Sequence, residues 1–186
     1  MSRAAVDQLL YLVDQSFEGN GEHSLIADLR SLTPEDWNTI PPGGGRSIAH
    51  IVGHVLVCKL MYDHYAFGEA RLNWLEPLAE LLPGCDVDPR LTIDAIQRPP
   101  PDLAPRPDQL VAWLTESHRR LRNSVEGLDD AGLMEQRKLN WGGTAETRWI
   151  ITVMIQHDLF HAGEINHLRA LLQQNDRWAW ESEAGG

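Results

Sequence analysis

Three histidines carry the chemistry legible in this chain. His157 and His161 form a His-x-x-x-His pair (HDLFH) in a long helical pattern near the C-terminus, and His54 lies far upstream in a second helical pattern, SIAHIVGHVLVCKLMY. An α-helix turns about 100° per residue, so side chains at i and i+4 share a face, roughly 6 Å apart at Cβ. Two imidazoles so placed can bind one metal ion through nitrogen at about 2.0–2.1 Å. A third ligand from a packed neighbouring helix leaves one coordination position for water or substrate. That is the ligand count of a catalytic centre rather than of a closed structural one.

Around the last helix, His161 lies about 40° and Glu164 about 20° from His157, in the direction of the apolar residues Ile150, Val153 and Leu168. Two imidazoles and a carboxylate turned toward a core are costly unless their polar atoms are satisfied, and a metal ion satisfies several at once. Without one, they must hydrogen-bond within the bundle or face a polar groove. Glu164 has three readings: a metal ligand, a general base acting on water activated at the metal, or an outer partner that orients a histidine. The third ranks first, because a fourth protein ligand closes the site. His50 stands one turn before His54 and is either an additional ligand, an orienting donor, or a solvent-facing histidine at a helix end. Cys58 shares this face and reads as a small core residue. His64, His118 and His167 fall off the ligand face or far from it, and His23 is a weaker candidate to line the pocket from the N-terminal helix.

The elements that must position these groups are helical almost throughout. An apolar stripe with Val6, Leu9, Leu10 and Val13 marks a first helix over about residues 4–17, and helical spacing resumes over 23–32. Thr33-Pro34-Glu35-Asp36 reads as a helix start, with only a short turn possible before Pro41-Pro42-Gly43-Gly44-Gly45. Ser47 is the expected N-cap of a second long helix over 47–67. Residues 69–107 are the least regular part, with one short helix over 72–82 and an extended, polyproline-like run over 99–107. A third long helix spans 108–126, and Thr144 is the expected N-cap of the last, over 145–174. No segment reads as a strand. Four long helices with one long connection between the second and third predict an all-α four-helix bundle, in which that connection lets helices two and three run parallel. The whole chain, 1–186, reads as one domain with a loose tail over 176–186.

Composition narrows the function. A formal charge of −11 argues against a nucleic-acid backbone or an anionic membrane surface as partner. Two cysteines cannot build a disulfide framework, Asp7 and Asp14 interrupt any leader-like apolar stretch, and no run is long enough to span a bilayer, so the expected location is the cytoplasm. Neither a dinucleotide fingerprint, nor a phosphate-binding P-loop, nor a nucleophile elbow is present. Gly43–Gly45 precedes a helix and could meet an anion there, but lacks the preceding strand and the Lys-Ser/Thr pair, so a flexible turn is the better reading. The continuous run Leu9-Leu10-Tyr11-Leu12-Val13 is wider than one core face needs, which predicts a homodimer. Trp178 and Trp180 are candidate subunit contacts.

These residues resemble the DinB/YfiT-like superfamily of metal-dependent four-helix bundles. The resemblance lies in Ser47-Ile48 ahead of His54, in the run from His157 through His161 to Gly163-Glu164-Ile165, and in His23-Ser24-Leu25-Ile26 through Thr33-Pro34-Glu35-Asp36-Trp37. It implies an up-down-down-up bundle, frequent dimerisation, and a divalent transition metal (zinc or nickel foremost, iron or manganese next) held by His54, His157 and His161. It carries no activity with it. Some relatives use low-molecular-weight thiols, and Glu164 stands where many have Gln. Two functions follow as expectations. The first is a metal-dependent transferase or hydrolase on an unidentified small molecule, with or without a thiol cosubstrate. The second is a non-catalytic metal- or ligand-binding dimer acting in stress response.

Overall fold

The computed structural model describes residues 2–19, 23–30, 32–68 and 72–175, and the expected tail with Trp178 and Trp180 lies outside them. Six helices follow one another: α1 (Ala4–Asp14), α2 (Pro34–Asn38), α3 (Ile48–Tyr62), α4 (Leu78–Leu81), α5 (Pro107–Glu126) and α6 (Thr147–Gln173). The described residues are all-α apart from a small hairpin. Local chemistry explains several boundaries. Thr33 Oγ1 accepts from the Asp36 amide while the Asp36 carboxylate accepts from the Thr33 amide, a reciprocal cap with Pro34 in the first turn of α2. Ser47 Oγ accepts from the His50 amide at 3.3 Å and starts α3. Both α1 and α3 end by widening into a π-turn, over Gln15–Gly19 and Asp63–Phe67.

The four long helices form a ring in which α1 and α3 each pack against α5 and α6. Side-chain contacts give the directions. Arg46 meets Glu164 and His54 meets His157, so α3 and α6 run antiparallel. Lys59 meets His118 and Asp63 meets Ser124, so α3 and α5 run parallel. A parallel pair needs a connection that returns along the full length of the helices, about 30 Å for twenty residues. The described part of that connection, 72–106, is no loose strap: Leu78, Leu82, Leu91, Ile93 and Ile96 are all buried in the core around α3. At about 25 cal/mol per Å² of apolar surface, each such side chain contributes roughly 1.5–3 kcal/mol.

The structure departs from the sequence expectations in four places. The short helix over 72–82 contracts to the single turn Leu78–Leu81, because Pro77 and a turn held by the Asn73 side chain precede it. The run 99–107 is not extended throughout, since Pro101–Leu103 makes a 3-10 turn. Residues 23–32 hold a 3-10 turn, Ala27–Leu29, in place of a helix among the described residues. Finally, Gln136–Lys138 (β1) pairs antiparallel with Thr144–Glu146 (β2), so Thr144 belongs to a strand and not to a helix cap. Gly142 and Gly143, at φ 100° and 78°, make the turn between them, a conformation a side chain would strain. Thr147 then starts α6, its hydroxyl donating to the Glu135 carbonyl and accepting from Arg137. On α1, Val6, Leu10 and Val13 are buried while Tyr11 and Leu12 face outward. No described helix is long and apolar enough to cross a membrane.

Candidate metal centre

α3 is buried along nearly its whole length, enclosed by α5, α6 and the connecting strap. At Gly53 the strap touches the helix itself: a Cβ there would stand 2.8 Å from the Ile96 carbonyl oxygen. Only glycine permits that approach, and it brings Gln97 against the His54 ring as a hydrogen-bond partner. From the opposite side α6 presents His157 and His161, one turn apart.

The three rings meet through the same atom. His157 Nε2 lies 3.3 Å from His54 Nε2 and 3.2 Å from His161 Nε2. A neutral ring nitrogen is either a donor or an acceptor, so His157 Nε2 cannot make a good hydrogen bond with both partners. A shared cation resolves the conflict. Nitrogen ligands about 2.0–2.1 Å from a tetrahedral ion stand roughly 3.3–3.4 Å from one another. Both separations from His157 match that edge length, and on this geometry the residues fit a divalent transition metal, although His161 stands outside the tightest donor group, His54, Cys58 and His157.

Protonation favours the same use. Burial pushes His157 down to about 3, reinforced by His161 and His54. His54 is also held below its ordinary value, by burial first and His161 second. Burial lowers His161, against the opposing pull of Glu164. All three are therefore neutral imidazoles near pH 7, with lone pairs to give. Glu164 sits outside the cluster: its Oε2 is 2.8 Å from His161 Nδ1, and its Oε1 accepts from Arg46 at 3.3 Å. A carboxylate on Nδ1 fixes that nitrogen as the protonated one and leaves Nε2 free.

The remaining histidines separate cleanly. His50 lines a cavity of about 510 Å³ together with Gln97, Arg98 and Leu110, outside the Nε2 cluster. Burial, then Arg98 and Arg46, keep His50 below its ordinary pKa. His167 is exposed, and His64 packs edge-on to Tyr65.

Cys58 is a core residue, as expected, and it also faces the histidines. It is buried, yet its Sγ lies 3.7 Å from His54 Nε2, and the donor atoms of His54, Cys58 and His157 all fall within 4.8 Å of one another. The signal was available, because His54-Val55-Leu56-Val57-Cys58 has the same i, i+4 spacing as His157 and His161. Burial pushes the free thiol up to about 12.

A second buried polar group went unread in the sequence. Lys59 Nζ donates to Asp158 Oδ2 at 2.7 Å and lies 3.3 Å from His118 Nδ1. Both charged side chains are almost fully buried. His118 stacks on Phe17 at 3.7 Å, and burial together with Lys59 pushes its pKa down to about 2. Asp158 Oδ1 has no hydrogen-bond partner.

The DinB superfamily profile matches residues 21–165. No curated protein matches the chain. Among solved structures, a conserved protein from Enterococcus faecalis superposes with a TM-score of 0.64 at 15% identity, covering 94% of this chain and 100% of that one. A mutant of the mycothiol-dependent maleylpyruvate isomerase superposes with a TM-score of 0.57 at 15% identity, over 89% of this chain and 63% of that chain. The present chain thus spans under two thirds of the isomerase, and at these identities both likenesses speak for the fold alone.

Proposed function

The chain belongs to the DinB superfamily, and from that membership and the convergent imidazoles we propose that it binds one divalent transition metal through His54, His157 and His161 and acts on a small molecule as a metal-dependent transferase or hydrolase. The observation that carries this reading is the placement of His157 Nε2 at ligand-edge distance from the Nε2 atoms of both His54 and His161. Zinc or nickel suits the imidazole donors best. When bound, such an ion supplies a Lewis acid that lowers the pKa of a coordinated water or thiol.

The chain's own groups do the positioning. Glu164 holds the His161 ring and is itself held by Arg46. The cavity lined by His50, Gln97 and Arg98 is walled by none of the three proposed ligands and adjoins the centre only through Gln97, the partner of His54. A low-molecular-weight thiol fits as cosubstrate, because both zinc and nickel stabilise a thiolate; the isomerase among the structural neighbours is mycothiol-dependent by its own description. The exposed Tyr11 and Leu12 on α1 support a homodimer, for which light scattering should give twice the 21.0 kDa chain mass; the chain mass itself would refute it. The net charge of −11 keeps nucleic acids out of the set of partners.

The test is a screen of the metal-loaded protein against thiols paired with electrophilic acceptors, and separately against ester, amide and lactone panels. Turnover that disappears in His157→Ala supports the enzyme reading and identifies its class. No metal-dependent turnover in either panel moves the protein to the second reading, a non-catalytic metal-binding bundle. One observation favours that second reading: Cys58 stands beside His54 as a fourth donor.

A further inference from the structure

We propose that Cys58 is the fourth ligand of this centre, so that the metal is held by three imidazoles and one thiolate contributed from α3 and α6 alone. The inference rests on the metal-centre reading and adds a donor to it.

Geometry carries it. With zinc–nitrogen at about 2.0–2.1 Å and zinc–sulfur at about 2.3 Å, a tetrahedral ion sets its sulfur roughly 3.6 Å from each nitrogen. Cys58 Sγ is 3.7 Å from His54 Nε2, and it shares with His54 and His157 a set of donors no more than 4.8 Å apart. His161 lies outside that set and touches it only at His157, Nε2 to Nε2 at 3.2 Å. The two helices contribute in the same way, each offering a pair of donors spaced i, i+4: His54 and Cys58 from α3, His157 and His161 from α6. Antiparallel packing places the pairs opposite one another.

Charge supports the same assignment. Three neutral imidazoles supply no charge to offset a dication, and a thiolate supplies one at ligand distance. Glu164 reaches the centre only through His161 Nδ1, at 2.8 Å, and is shared with Arg46, while Asp158 pairs with Lys59. Binding exchanges the thiol proton, released to solvent, for a metal–sulfur bond, and lowers the net charge of the centre from +2 to +1. With four side-chain donors in place, an incoming molecule must displace Cys58 or enter as a fifth ligand. An external thiol that displaces it swaps thiolate for thiolate and leaves that charge unchanged.

Cobalt(II) loading of the wild-type protein and of Cys58→Ser tests this directly. The wild type should show an intense near-ultraviolet sulfur-to-cobalt charge-transfer band at one ion per chain. Cys58→Ser should lose the band while still binding one ion. Identical spectra from the two loaded proteins would overturn the assignment and leave a histidine-only centre. Failure of the wild type to bind cobalt, zinc or nickel would refute the metal-centre reading itself. X-ray absorption on the zinc-loaded wild type requires no variant to fold: one sulfur scatterer at about 2.3 Å supports the proposal, and none overturns it.

Discussion

α3 and α6 carry two buried polar clusters built from neighbouring residues, and the two are completed in opposite ways. Cys58 and His157 turn toward His54 and His161, while their sequence neighbours Lys59 and Asp158 turn about 100° away, toward His118 and Phe17. The second cluster contains its own cation: Lys59 and Asp158 pair at 2.7 Å, both almost fully enclosed. The first contains only neutral donors aimed at one another. A buried polar group tolerates neither an unpaired charge nor crowded lone pairs. One cluster therefore reads as structural, paired internally although Asp158 Oδ1 is left without a hydrogen-bond partner. The other reads as a receptor for a cation from outside.

Breaking the internal pair should have the largest effect. Lys59→Met leaves Asp158 buried without its partner, which should cost about 3–5 kcal/mol in urea unfolding. The double variant Lys59→Met/Asp158→Leu should recover most of that loss, since apolar residues of similar size often replace a buried pair at little cost. Loss of the same size from His157→Ala in the metal-free protein would erase the contrast between the clusters.

Acid should separate the metal-free from the metal-loaded protein. His157 and His118 have folded-state pKa values of about 3 and about 2, below the ordinary value of 6.5. Below pH 6.5 the unfolded chain binds the additional protons, so stability falls as pH drops from there toward 3. Each of the two groups costs about 1.4 kcal/mol per pH unit over that range. Zinc binds the folded chain in preference to the unfolded one, so loading should move the acid-unfolding midpoint to lower pH; an unmoved midpoint would contradict the metal assignment.

Substitutions at the candidate ligands should act on affinity more than on fold. His157→Ala should weaken zinc binding at least 100-fold by competition titration, whereas His167→Ala, on the exposed face, should leave it unchanged. Glu164→Gln should fall between, near tenfold, because it keeps the contact with His161 but loses the carboxylate. An effect of Glu164→Gln equal to that of His157→Ala would place the carboxylate on the metal.

The bundle was legible because amphipathic periodicity and capping chemistry are local: Thr33, Ser47 and the stripe of α1 announce themselves within a few residues. The histidines were legible because i, i+4 spacing fixes their common face. What escaped depends on partners distant in sequence. Lys59 becomes a core residue only through Asp158, 99 positions away, and His118 on a third helix. Cys58 looks apolar until α6 is packed against it. In the strap, Leu91, Ile93 and Ile96 follow neither helical nor strand period, so their burial had no pattern to betray it. The hairpin strands, Gln136–Lys138 and Thr144–Glu146, are short and polar, with no alternation to read.

The central claim is that the imidazole cluster takes its cation from outside. Elemental analysis of protein purified without a metal-affinity tag, followed by zinc and nickel titration of the stripped protein, tests it most directly. The expected result is one transition-metal ion per chain, lost in His157→Ala and retained in His167→Ala. Metal-free protein that takes up neither ion, with unchanged thermal stability in their presence, would contradict it.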